Sequence, residues 1–437
     1  MRRLEHTQQG NALALIGFIS ICLFTVTKLY THSHIANIFG LPMAILGFFA
    51  IYRYGKNIQV KTPLLLLLAS ILLPLISWFF AHLAYPDLAN ESPRLDKLLR
   101  MFLFIPIAWW IKDSPKKVFL FWSLAALAVL ASPWISGDGF QEIIRGWQGY
   151  RVDFGLKNAG HTSLFFGTIL IGLICFSPRL YLWKKSSLII LIPCLLFCAF
   201  TMIAVQTRAG WLALIVCSST TLIYFFLKEK NKSKFFNKKT IAFIILTLIA
   251  GSLLYKNMGN IVEKRSKSES SVIDSVLSGN FDDIPYTSVG IRVNLWRAAL
   301  ARIEERPILG WGINGQSIAI KETTWLPDHI RQTFGHLHNS YFSILTNYGL
   351  LGLLFYVVWF GWIFLKILNL VSKGSLGKDI GYFSITVLSF WSIVNLFESY
   401  LFFWTGVVYI QALFGGLLAL IWQAEIKEKQ QKNNQAT

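Results

Sequence analysis

Residues 63–83 read PLLLLLASILLPLISWFFAHL and contain no Asp, Glu, Lys or Arg. A helix of that length crosses the ~30 Å hydrocarbon core of a bilayer. The stretch does not alternate apolar with polar residues, so it predicts a spanning helix rather than a barrel strand. Working outward, eleven further apolar runs follow the same pattern: 11–29, 35–52, 98–111, 118–135, 162–178, 186–205, 210–227, 240–256, 340–368, 380–399 and 404–422. The expected fold is an all-α polytopic membrane protein with about 12 transmembrane helices. Composition agrees, since 54% of the 437 residues are apolar and only 14% charged. A soluble domain carries about 25% charged residues. Intrinsic disorder is excluded by the same abundance of Leu, Ile and Phe.

The charges give an orientation. With a cytoplasmic N-terminus, the segments on that side hold 22 cations and six acids, and everything else holds 19 cations and 16 acids. Nearly all of the formal +19 falls on one side, as the positive-inside rule requires. The basic balance is therefore a topology signal and does not imply a nucleic-acid partner. An even number of spans puts both termini in the cytoplasm. The first run is long enough to act as an anchor rather than a cleaved signal. The chain then divides into spans one to nine (1–256), an extracytoplasmic loop (257–339), spans ten to twelve (340–424) and a cytoplasmic tail (425–437). Cys22, Cys175, Cys194, Cys198 and Cys217 all lie within predicted spans, where unpaired thiols behave as small hydrophobes.

Within the long loop, Glu263 to Asn280 is Ser-rich and is expected to be mobile, whereas 288–306 reads as an amphipathic helix carrying Arg292 and Trp296. Gly310-Trp-Gly-Ile-Asn-Gly315 formally matches a dinucleotide fingerprint, but it follows a helix rather than a strand, so a tight turn is the reading kept. No Walker A or Asp-x-Asp sequence occurs, and Asp282-Asp283 reads as a solvated turn. Neither a cofactor nor a metal is expected.

Four features fall on the outer side. Arg208 stands at the turn between two spans, where a charge either serves a function or snorkels to lipid phosphate. Arg292 heads the amphipathic helix, which leaves a solvated surface arginine as the alternative. His338 lies at the start of the tenth span, where the positive end of the helix dipole disfavours imidazolium; the alternative is a simple helix cap. Glu398, at the outer end of the eleventh span, could orient a histidine or pair with an arginine. Arginines bind phosphates bidentately. A neutral histidine can take a proton from a hydroxyl. Together these suit displacement of a lipid-linked diphosphate by an alcohol.

The order Thr207-Arg208-Ala-Gly-Trp, Gly290-Ile-Arg292-Val-Asn-Leu-Trp296, Pro307-Ile-Leu-Gly-Trp-Gly312, His338-Asn-Ser-Tyr341 and Gly349-Leu-Leu-Gly352 resembles the O-antigen ligase family. That family shares its core with O-antigen polymerases and bacterial O-oligosaccharyltransferases. The resemblance covers about 200–360. It implies a C-type membrane glycosyltransferase fold in the bacterial inner membrane. The implied reaction moves O-antigen polysaccharide from undecaprenyl diphosphate to a lipid A–core sugar at the periplasmic face, without metal and with inversion. It assigns Arg208 and Arg292 to the diphosphate and His338 to the acceptor hydroxyl, with His336 as a neighbour. Arg151, Asn158, Trp296, Asn339, Tyr341 and Glu398 are the accompanying substrate-binding candidates, and membrane lipids are the other partners. A polymerase using a second lipid-linked repeat, a protein O-oligosaccharyltransferase and a lipid-linked glycan transporter are the competing readings. The transporter lacks the midplane ionisable groups it would need.

Overall fold

The computed structural model describes residues 2–30, 34–55, 58, 60–228 and 269–436. The predicted span 240–256 and the lysine-rich segment before it lie outside the described residues. All regular structure among the described residues is helical. The main helices are α1 (Arg2–Tyr30), α2 (His34–Tyr54), α3 (Lys61–Ala84), α4 (Phe104–Ile111), α5 (Pro115–Leu130), α6 (Ala159–Trp183), α7 (Leu188–Ala204), α8 (Arg208–Lys228), α9 (Ser288–Glu305), α10 (Gly315–Lys321), α11 (Ser340–Ser372), α12 (Lys378–Val394) and α13 (Trp404–Ala436).

Seven of these regions are long and apolar enough to cross a membrane: those of α1, α2, α3, α6, α7, α11 and α13. Of the other predicted spans in the described residues, 210–227 and 380–399 fall largely on the single helices α8 and α12, and two are broken. Residues 98–111 fold as Asp96–Leu99, a 3-10 turn Arg100–Leu103 and α4, and 118–135 splits after Leu130. Helix α13 runs on through most of the predicted tail, because its polar end offers no Gly or Pro to stop it. Its apolar half is almost wholly buried and packs against α4 and α5, so it forms the centre of the bundle. The amphipathic segment forms α9 as expected, ending just before Pro307. Residues 269–277, in the stretch expected to be mobile, form a helix instead.

A backbone interlock fixes the loop to the membrane helices. Helix α11 is interrupted at Gly349, whose φ is 63°. The break frees the N–H groups of Leu350 and Leu351, which donate to the carbonyls of Pro307 (2.8 Å) and Ile308 (3.1 Å). In return Trp311 N–H donates to Thr346 O (2.9 Å). The buried Ser77 hydroxyl of α3 accepts from Gly312 N–H at 3.1 Å and lies 2.9 Å from Asn347 O. Irregular backbone inside a membrane protein persists only where protein supplies its partners, as here. The glycine run is thus a docking turn. A Cβ on Gly310 would lie 2.6 Å from Asn347 C, and one on Gly349 would lie 2.3 Å from the Ile308 carbonyl. Gly349→Ala should therefore destabilise the protein by roughly 3 kcal/mol, from the left-handed backbone and the clash together. Gly361→Ala, on the same helix with nothing within 4 Å, should be neutral or stabilising. Thermal unfolding of both variants in detergent checks this.

Candidate functional site

Helix α8 begins at Arg208, and the residue two places earlier, Gln206, has a left-handed φ of 50°. That turn is held by the loop before α6. The Gln206 amide donates to Gly149 O (2.7 Å), Val152 N–H to Ala204 O (3.4 Å) and Arg151 Nε to Val205 O (3.3 Å). Arg208 is half exposed, with Nη2 3.5 Å from Oε1 of the buried Glu269. Glu269 also accepts from the Thr287 hydroxyl (2.8 Å) and Val289 N–H (3.3 Å). It therefore sits at the N-terminus of α9, where the helix dipole favours a carboxylate.

Arg292 lies one turn further along α9. Burial acts against its charge and lowers its pKa; among the charges around it, Glu398 and Glu269 attract it and Arg208 repels it. The two arginines and Glu398 therefore share one electrostatic neighbourhood. Trp296, one turn on, donates from Nε1 to Leu337 O (2.9 Å) and stacks on Phe342 of α11. It anchors α9 to the segment between the two histidines.

His338 has a left-handed φ of 50°. Such strain in a non-glycine residue persists only where the surroundings dictate it, and here they do. Asn339 caps α11 by accepting from Tyr341 N–H (2.9 Å) and Phe342 N–H (3.1 Å). Its own N–H donates to Ser399 Oγ (3.2 Å), and Ser340 N–H donates to Asn395 O (2.8 Å). The turn after α12 is thereby stitched to the start of α11, which brings Glu398 to His338. Glu398 Oε2 lies 3.2 Å from His338 Nδ1. Its other oxygen lies 3.4 Å from His336 Nδ1, without the geometry of a hydrogen bond.

Burial disfavours the Glu398 charge, but the His338 hydrogen bond, the two histidines and Ser399 N–H outweigh it and bring its pKa down to about 2. An ionised carboxylate only accepts hydrogen bonds, so Nδ1 of His338 donates to it, and in the neutral ring Nε2 is then the accepting nitrogen. Glu398→Gln would remove that preference, because an amide can donate as well as accept. Transfer should fall about a hundred-fold with little change in KM, as steady-state kinetics will show.

Burial, and then the charge of His338, lowers His336 to about 4. Its folded value lies below the ordinary 6.5, so the unfolded chain binds the extra proton first. The stability that the buried neutral ring contributes is present above pH 6.5 and is lost as pH falls towards 4. Glu398 adds a loss of the same sign below its ordinary 4.5. His336→Gln should flatten the fall in unfolding temperature between pH 6.5 and 4, leaving the steeper acid limb.

The remaining sequence candidates have clear local surroundings. Asn158 caps α6, accepting from Gly160 N–H (2.8 Å) and His161 N–H (3.2 Å). Tyr341 donates to Ser392 O (2.8 Å) and packs edge-on against Tyr356. Arg151 stands beside the turn that carries Arg208. Sequence reading missed Glu269 and Lys157, whose ammonium lies 3.9 Å over the Phe403 ring. Neither stands in a recognisable motif; Lys157 directly precedes a helix cap, the only local signal. His336, His338 and Glu398 offer three ligand atoms within 4.8 Å, enough to hold a metal ion. The charges of Lys157 and Arg292, both of which bear on His336, oppose a divalent cation there.

Arg208, Arg292 and His338 all fall within residues 193–357, the stretch that matches the family model described as O-antigen ligase. An uncharacterized protein of Haemophilus influenzae is 29% identical over 285 residues, covering 63% of this chain and 66% of that protein. The match thus spans just under two thirds of the relative's length. Across residues 193–357, which carry Arg208, Arg292 and His338, the chain is similar to the O-antigen ligase family.

Proposed function

We propose that the protein transfers O-antigen polysaccharide from undecaprenyl diphosphate to a sugar hydroxyl of lipid A–core, at the periplasmic face of the bacterial inner membrane. The observation that carries this reading is the pairing of two neighbouring arginines with a histidine pinned through Nδ1 by Glu398. The family match supports glycosyl transfer of the ligase or polymerase type.

In this reading the acceptor oxygen attacks the anomeric carbon of the donor sugar. Its proton passes to Nε2 of His338, and Glu398 stabilises the imidazolium that forms. The bond from the anomeric carbon to the diphosphate oxygen breaks, and the electron pair leaves on that oxygen. Arg292 and Arg208 hold the departing charge in place of a metal ion. A single displacement inverts the anomeric carbon.

Reconstitution with lipid-linked polysaccharide and two competing acceptors tests the assignment. Product on lipid A–core in the presence of excess EDTA is the expected result. Product only on a second lipid-linked repeat makes the protein a polymerase. Activity lost to EDTA and restored by a divalent metal removes the arginine-based account.

A further inference from the structure

An apolar groove of about 750 Å³ runs between α5 and α6, with α13 as its floor. On α6 its lining extends from Phe165 to Trp183, about 27 Å at 1.5 Å per residue. Spread over that length the volume is a narrow groove, the shape that an extended hydrocarbon chain fills. The groove faces the bilayer, since Leu120 and Leu127 of α5 and Trp183 of α6 are exposed around it. The polar groups Thr168 and Tyr409 within it bond to each other at 2.9 Å.

Charge lies at one end only. Lys116 and Arg179 form that rim. The rest of its surroundings are basic too. Lys112 and Lys117 share Asp113, Arg179 pairs with Asp379 at 2.6 Å, and Lys184 and Lys185 follow Trp183. Six cations thus meet two carboxylates. The first turn of α5, capped by Ser114, adds the positive end of its helix dipole. The opposite end, at Phe165 and Val408, is apolar and stops one helical turn from the His161–Thr405 hydrogen bond (2.6 Å). Arg208 and Arg292 are near that second end of α6. The Lys116–Arg179 rim is the end away from those arginines, so a phosphate held there is separate from the proposed reaction site.

We propose that the groove binds an anionic glycerophospholipid, with an acyl chain along α6 and the phosphate at Lys116, Arg179 and the first turn of α5. The test is native mass spectrometry of the full chain released from nanodiscs. These would contain equal phosphatidylglycerol and phosphatidylethanolamine of distinct masses, together with undecaprenyl phosphate. Retention of one phosphatidylglycerol per chain is expected. Lys116→Glu should lower its preference over phosphatidylethanolamine about five-fold. Ala126→Trp, which fills the groove, should abolish retention while the protein remains monodisperse. The exposed Lys116→Glu change keeps the test decisive if Ala126→Trp fails to accumulate. Equal retention of the two phospholipids, or retention unaffected by either variant, overturns the proposal. So does a preference for undecaprenyl phosphate that Ala126→Trp removes.

Discussion

Arg292→Ala should lower the turnover of reconstituted transfer about a thousand-fold or more, while the protein stays folded in the membrane and lipid-linked polymer accumulates in cells. The size follows from where the side chain lies. Its guanidinium is largely removed from water, so in the proposed reaction its attraction for a departing diphosphate would be poorly screened. Arg292→Lys keeps the charge and loses the fork of donors, and should fall in between, about a hundred-fold down. Arg208→Ala should cost less than Arg292→Ala, because Arg208 is half exposed and already faces Glu269. Activity of Arg292→Ala within ten-fold of the parent would end the case for arginine-held diphosphate.

His338→Ala should reduce turnover about 10²- to 10⁴-fold, the range for loss of a positioned general base. The distinguishing measurement is rescue. Added imidazole should restore part of the activity of His338→Ala and none of that of Arg292→Ala. His336→Ala should lose far less, since its Nδ1 makes no hydrogen bond to Glu398. If His336→Ala were instead the inactive variant and His338→Ala the active one, the two rings would exchange roles.

Much of the fold was legible in the sequence because the bilayer demands it. A run such as 63–83 has only one low-energy arrangement in hydrocarbon, a helix that satisfies its own backbone. Helical spacing of Val293, Trp296, Leu300 and Ile303 located α9, although the face it buries carries Asn294, Leu295, Ala298 and Ala299 and leaves Leu300 exposed. It was less informative at 98–111, where apolar character continues through a break that only packing imposes. The Ser-rich stretch misled for the opposite reason. Residues 269–277 look solvated in sequence, yet Glu269 is drawn inward by Arg208, Thr287 and the start of α9.

The site was legible as residue types and was not legible as a constellation. Arg208, Arg292 and His338 stood out because charged or titratable groups are costly at the membrane edge. In sequence Glu398 is a possible partner of a histidine or an arginine and a substrate-binding candidate, and sixty residues separate it from His338. The hydrogen bonds between the Asn339–Ser343 and Asn395–Ser399 segments close that gap. No spacing rule encodes them, since each depends on where two helices end in space. Lys157 likewise meets Phe403 only through the packing of α6 against the turn before α13.

The sequence by itself determined that the chain is a helical membrane protein, because the need to bury an apolar run in hydrocarbon is a local property. Only the tertiary structure decided that Glu398 bonds His338, that Glu398 and Arg208 both act on the charge of Arg292, and that the glycine turn at 310–312 locks into the break at Gly349. Those contacts join segments far apart in the chain, and their energy comes from satisfying buried polar groups that have no partner within their own segment.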